Sequence, residues 1–326
     1  MKIQEPIDIV ISWVDGNDPM HRQKMQPYLN KSEYIQDDIA GPTRFRSEGE
    51  IFFCVASILR FAPFVRKIFI VTDQQNPNLD DFIHTNFPQN TIPIILVDHS
   101  VIFKGYEIYM PTFNSLSIET CLFRIPDLSE NFVYFNDDFF LMRPIQPSDW
   151  FRSDKVMAYG NWRSITFDLF LQSIKPMKNG HKPFGFKDSM LNATNYFPKK
   201  TFYFCIKHTP LPLKKSIFEK YYEHYSENLI ANIAHKFRNE TQYNPQALFY
   251  LLAFKSKVSI LISKNKLLLI KPVNRKSNYV DRKIKTFEKN KNILFGCIES
   301  IDLAKKEDQT KLYNWLSKLL NIKLIL

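Results

Sequence analysis

FVYFNDDFFLM, running from Phe132 to Met142, places an asparagine and two carboxylates among Phe, Tyr and Leu. An unpaired carboxylate in an apolar interior is costly enough that it neutralises or finds a partner. Either the acids lie at the end of a buried strand, or something positive sits on them. The same pattern occurs upstream. IDIVISW runs into Val14, Asp15 and Gly16, KIFIVT into Asp73 and Gln74, and TIPIILV into Asp98 and His99. With NFVYF before Asn136, Asp137 and Asp138, these are short, nearly continuous apolar runs, as expected of strands covered on both faces in a parallel sheet.

Helical spacing fills the gaps between them. EIFFCVASILRFA stops at Pro63, and NSLSIETCLFRI, from Asn114, offers Asn or Ser as a cap. Alternating strands and helices predict an α/β fold, a mostly parallel Rossmann-like sheet flanked by helices. Ligands of such sheets bind beyond the carboxyl ends of the strands, where the strand order switches. Taken singly, each strand-end Asp is explained by turns and caps, and Asp73 and Asp98 are read that way. The adjacent Asp137 and Asp138 differ, because two like charges at an apolar strand end repel unless a proton or a cation intervenes. Mg²⁺, held through one or two carboxylates plus substrate phosphates, suits them.

The chain has 326 residues, 44% hydrophobic and 15% aromatic, enough for one large α/β domain with appendages. Neither repeats nor low-complexity segments interrupt it. Cys54, Cys121, Cys205 and Cys297 are isolated, without CxxC or zinc-finger spacing, and are read as buried thiols and not as a disulfide or metal framework. The N-terminus meets Glu5, Pro6 and Asp8 before any long apolar run, and no run approaches the ~20 residues of a spanning helix. A cytoplasmic protein is expected, soluble or peripheral at the inner membrane. From Lys199 onward there are 25 Lys and Arg against 10 Asp and Glu, while the chain as a whole carries +11. That basic half, expected to be largely helical, suits anionic company: phosphates, an acidic polymer, a membrane face or nucleic acid, or simply a solvated surface.

No Gly-rich phosphate loop is present, so phosphate would be held by side chains, metal or helix N-termini. Basic and aromatic segments supply candidates: Arg44 and Arg46 in TRFRSEGE, Lys207 and His208 in KHTPLPLKKSIFEKYYEHY, and His235 and Arg238 in HKFRNE. PQALFYLLAF, with Asn244 as cap and Pro245 in its first turn, predicts a further helix. Spacing alone does not choose among His208, His224 and His235 as a base, although His208 sits before a proline break and His224 on a helix surface. The tail LYNWLSKLLNIKLIL reads as a packing helix, with an interfacial helix on an anionic membrane as the alternative.

Taken in order, these stretches resemble the Stealth family, the sugar-1-phosphate transferases of bacterial capsule synthesis. The catalytic part of the animal lysosomal-enzyme GlcNAc-1-phosphotransferase is similar. IDIVISWVDG resembles the first block. The second runs from RFRSEGEIFFCVASILRFAPFVRKIFIVTDQQNP to MPTFNSLSIETCLFRIPDLSENFVYFNDDFF. KHTPLPL with HKFRNETQYNPQALFYLL resembles the third, and ILFGCIESID the fourth.

The resemblance implies a single catalytic domain over 1–326 with a glycosyltransferase A-like sheet: an α/β core over 1–150, a variable insert over 151–198, the later blocks over 199–302 and a C-terminal helix over 303–326. It implies transfer of a hexose-1-phosphate, expected to be an N-acetylhexosamine-1-phosphate, from a UDP-sugar to a sugar hydroxyl with release of UMP. The acceptor would be an oligosaccharide or lipid-linked glycan, the cofactor Mg²⁺ or Mn²⁺.

By motif position Asp8 and Asp138 are implied as essential acids, His208 as general base and Arg238 as phosphate clamp. Asp137 and Asp138 would hold metal. Trp13, Asp15, Gly16, Arg46, Asn114, Ser115, Glu119 and Asn136 would line or brace the donor pocket. Asp8 opens its strand, at the end away from the predicted cleft. Glu299-Ser300 stands where the fourth block has Asn-Asp, so the family acid is either missing or supplied by Glu299 or Asp302. Two rivals remain: a conventional glycosyltransferase releasing UDP, and a non-catalytic polyanion-binding relative. Nucleic acid is not an expected partner, since the basic residues form no recognisable module for it.

Overall fold

The computed structural model describes residues 5–29, 48–174, 184–197 and 201–323. All the predicted strands form: β1 (Ile7–Ser12), β2 (Lys67–Thr72), β3 (Ile94–Asp98) and β4 (Asn131–Asn136). Then follow β5 (Phe139–Leu141), β6 (Phe151–Arg152), β7 (Lys155–Ser164), β8 (Phe202–Ile206), β9 (Leu211–Lys214), β10 (Ser259–Ile262), β11 (Leu267–Ile270) and β12 (Phe295–Ile298). The main sheet has the order β3-β2-β1-β4-β9, parallel except for the antiparallel edge strand β9. Ile9, Val10, Ile11, Ile68, Ile70, Val71, Val133 and Phe135 are buried, which is why these strands read as continuous apolar runs and do not alternate.

The chain leaves β1 on one side for β2 and β3, then returns to pair β4 on the other. The order therefore switches between β1 and β4, where Ser12 lies opposite Asn136. A crevice opens at such a point because the connections on either side diverge to opposite faces.

The helix Glu50–Phe61 buries Ile51, Phe53, Cys54, Val55 and Ile58 and packs against β5 and the C-terminal helix Lys306–Leu320. The latter buries Leu312, Leu316 and Leu320 and stacks Tyr313 on Phe53 at 5.5 Å, so the tail is a packing helix. The side chain of Asn114 accepts from Leu116 N at 3.1 Å and caps the helix Ser115–Cys121, while Asn244 caps Pro245–Lys255.

The basic half carries strands as well as helices. β6, β8 and β10 all pair with β7, and β11, β12 and β5 form a third sheet. Within the expected insert, β6 and β7 are woven into the body, since β7 pairs with β6, β8 and β10. Among the described residues no helix is long and apolar enough to cross a membrane.

Candidate active site

A cavity of about 410 Å³ opens beyond the carboxyl ends of β1 and β4, within the range of small-molecule sites. β1 delivers Ser12 and Trp13 to its wall; β4 and the turn into β5 deliver Tyr134, Asn136, Asp137 and Asp138. The acids therefore follow the strand, as the first alternative required. Neither is paired with Lys or Arg among the described residues. Burial, with the Glu50 and Asp138 charges behind it, pushes the Asp137 carboxyl well above its usual range. Burial also pushes Asp138 up to about 7, opposed by a hydrogen bond from Cys297 and reinforced by Glu299 and Glu50.

Strand pairing explains who their neighbours are. β12 runs antiparallel to β5, with Cys297 opposite Phe139, and Ile298 N donates to Asp138 O at 3.2 Å. Cys297 Sγ consequently lies 3.5 Å from Asp138 Oδ2. Past β12 the chain places Glu299, Ser300 and Asp302 on the cavity wall, and Glu50 enters from its helix N-terminus. Asp138 Oδ1 is buried without a hydrogen-bond partner among the described residues. An orphaned carboxylate oxygen facing further carboxylates fits a hard divalent cation, which takes oxygen donors and cancels their repulsion.

His208 stands where the chain leaves β8, between Phe186 at 4.9 Å and the edge of Phe139 at 6.3 Å. Its Nε2 is 3.5 Å from Glu299 Oε1, while Lys271, just past β11, holds Glu299 Oε2 at 2.6 Å. Burial draws the His208 pKa down, with the Glu299 charge opposing. The imidazole is thus neutral near pH 7 and competent as a base, with a carboxylate to orient it. On another wall Arg238 donates to Ser115 Oγ at 2.7 Å beside Glu119, whose carboxyl is raised by burial and restrained by the Arg238 charge.

The predicted residues divide accordingly. Trp13, Ser115, Glu119, Asn136, Asp137, Asp138, His208 and Arg238 line the one cavity. Asp8 does not reach it. At the opposite end of β1 it is wholly buried, accepting from Arg66 Nε at 2.8 Å and NH2 at 2.5 Å and from Ser129 N at 2.7 Å. The resemblance implied it as an essential acid; the length of a strand separates it from the cleft, and its contacts are those of a brace. Asp15 and Gly16 fold the loop after β1: Asp15 Oδ1 accepts from Asn17 N at 2.8 Å, and Gly16 O accepts from Arg22 Nε at 2.7 Å. Asn114 braces from behind, its amide donating to Phe237 O at 2.8 Å and Gln242 Oε1 at 2.8 Å, which ties the Arg238 segment to the capped helix.

Arg44 and Arg46 lie outside the described residues. Asp98 caps the short helix His99–Ile102, as the turn-and-cap reading expects, whereas Asp73 is buried and pairs with Lys24 at 2.8 Å. His224 is exposed on its helix, and His235 is outside the cavity wall.

Sequence reasoning missed Glu50, His21, His99 and Cys297, all but the last on the cavity wall. Glu50 carried a signal, as a Glu opening an otherwise apolar helix directly after a glycine.

The fold is of the glycosyltransferase A class, mixed α/β with the site at the sheet's switch point. The WbbM bifunctional glycosyltransferase superimposes with a TM-score of 0.50 at 9% identity, covering 96% of this chain and 52% of that one. Residues 5–33 match Stealth protein CR1, conserved region 1, and residues 44–159 match Stealth protein CR2, conserved region 2. A capsular polysaccharide phosphotransferase of Actinobacillus pleuropneumoniae is 33% identical over 74% of this chain, which spans 63% of that protein's length. The receptor polysaccharide phosphotransferase WefC of Streptococcus gordonii is 31% identical over 74% of this chain and 75% of its own. The chain belongs to the Stealth family.

Proposed function

We propose that this cavity transfers a sugar-1-phosphate from a nucleotide diphosphate sugar to an acceptor glycan hydroxyl in bacterial surface polysaccharide synthesis. The observation that carries the reading is the meeting of His208, Arg238 and the Asp137–Asp138 pair in one cavity at the β1–β4 switch. His208, neutral and oriented by Glu299, takes the proton of the attacking hydroxyl. The acceptor oxygen bonds to the donor's β-phosphorus, the bond from that phosphorus to the bridging oxygen breaks, and UMP leaves. Arg238 offers a guanidinium fork to the phosphoryl oxygens. Asp137, Asp138, Glu50 and Glu299 would hold Mg²⁺ or Mn²⁺, which when bound neutralises diphosphate charge. Trp13 and Glu119 would face the donor.

The test follows the phosphorus. A UDP-sugar labelled in its β-phosphate, given with acceptor and Mg²⁺, should yield labelled product and UMP. Release of UDP carrying the label would instead show rupture at the sugar carbon, and the proposal would fall to the conventional glycosyltransferase reading.

A further inference from the structure

The oxygen donors share the site with a second donor set of different chemistry. One liganding atom each of His208, Cys297 and Glu299 lie within 4.8 Å of one another. Three separate strands bring them there: His208 follows two residues after β8, β12 carries Cys297 and runs into Glu299, and β5 opposes β12 and fixes its register. We infer that these three side chains form a site for a thiophilic divalent cation of the Zn²⁺ class, with occupancy that shuts the active site.

The donor set argues for the class. Imidazole nitrogen, thiolate sulfur and carboxylate oxygen are each zinc ligands, and three of them leave a fourth position open, whereas Mg²⁺ takes oxygen and shuns thiolate. Zinc binds such ligands at about 2.0–2.3 Å, so the set must tighten on binding. His208 and Glu299 are only half-buried and can make that adjustment, while Cys297 is fixed in its strand. Glu299 is already divided suitably: Lys271 holds Oε2 at 2.6 Å, and Oε1 faces His208 at 3.5 Å.

A metal on His208 occupies the nitrogen that the proposed reaction needs as its base. The shut-off half of the inference rests on that reading; the binding half does not.

The probe is Co²⁺, added alone to the purified full chain without Mg²⁺. One equivalent should produce a thiolate-to-cobalt charge-transfer band and intense visible bands of tetrahedral type, both lost when Zn²⁺ is added. Cys297→Ser should abolish the charge-transfer band, whereas Cys205→Ser, which alters the half-buried thiol outside the cavity wall, should keep it. His208→Gln and Glu299→Gln should retain the band with affinity weakened at least about tenfold, which decides the matter even if the Cys297 variant fails to fold. Cobalt bound without the thiolate band, a band that survives Cys297→Ser, or unchanged affinity in both other variants would overturn the site. In the phosphotransfer assay, equimolar Zn²⁺ in excess Mg²⁺ should stop turnover. Full turnover with zinc bound would overturn the shut-off, and absent turnover with an intact cobalt spectrum would fault the proposed reaction and leave the site standing.

Discussion

Three contacts suit His208 to its proposed role as base, since Phe186 and Phe139 desolvate it and Glu299 faces its ring. Replacing it by alanine should lower kcat about 10²- to 10⁴-fold, the usual worth of a positioned base, while the donor KM and the circular dichroism spectrum stay near wild type. Turnover close to wild type would remove His208 from the mechanism. His99 makes a different prediction. It is buried, and burial pulls its pKa down to about 4, against the opposing charges of Asp73 and Asp98; Lys24 and His21 act in the same direction as burial. Its unfolded pKa is ~6.5, so between these values the unfolded chain binds the extra proton. Stability is therefore full above that range and is lost as pH falls toward 4, by at most about 3 kcal/mol. Melting curves from pH 7 to 4.5 should fall less steeply for His99→Gln than for the wild type, and parallel slopes would contradict this account.

At the scale of elements, the Asp8–Arg66 pair joins the start of β1 to the approach to β2, and Ser129 N ties the same carboxylate to the loop before β4. Arg66 is partly exposed and keeps Asp127 as a partner, whereas the buried Ser129 N loses its acceptor, so Asp8→Ala should cost about 1–3 kcal/mol. Turnover per folded molecule should stay within about threefold; denaturant melts alongside active-site titration separate the two, and a stable but inactive variant would restore Asp8 to catalysis. The same geometry explains what the sequence made legible. Both faces of β1, β2 and β4 are covered, so their strands and the acids just beyond them stand out as uninterrupted apolar runs. SILI and LLLI, which became β10 and β11, are too short and too even to separate from helix. The place of Asp8 at the start of its strand, away from the cleft, was legible too, although motif position alone implied an essential acid. Cys297 was opaque because its closeness to Asp138 comes from the register between β12 and β5, a pairing of segments 159 residues apart that no local pattern encodes.

Across the whole molecule, the net charge of +11 coexists with a cavity where Glu50, Asp137, Asp138, Glu299 and Asp302 converge. Among the described residues, positive charge meets only part of that cavity: Lys271 holds Glu299, and Arg238 lies toward Glu119. Folding must therefore bring like charges together, a cost borne by the buried core and retained where charge is needed for metal and phosphate. Removing one charge should relieve it. Asp137→Asn should melt higher than wild type in metal-free buffer, by at least about 1 kcal/mol, equivalent to less than one pKa unit of lifted repulsion. Added Mg²⁺ should raise the wild-type melting temperature by a few degrees through its preference for the folded state and should do so far less in Asp137→Asn. Calorimetry with and without Mg²⁺ measures both. A metal-free variant melting below wild type, with the full Mg²⁺ shift intact, would mean that Asp137 is held by contacts other than those described and that the cation is bound elsewhere.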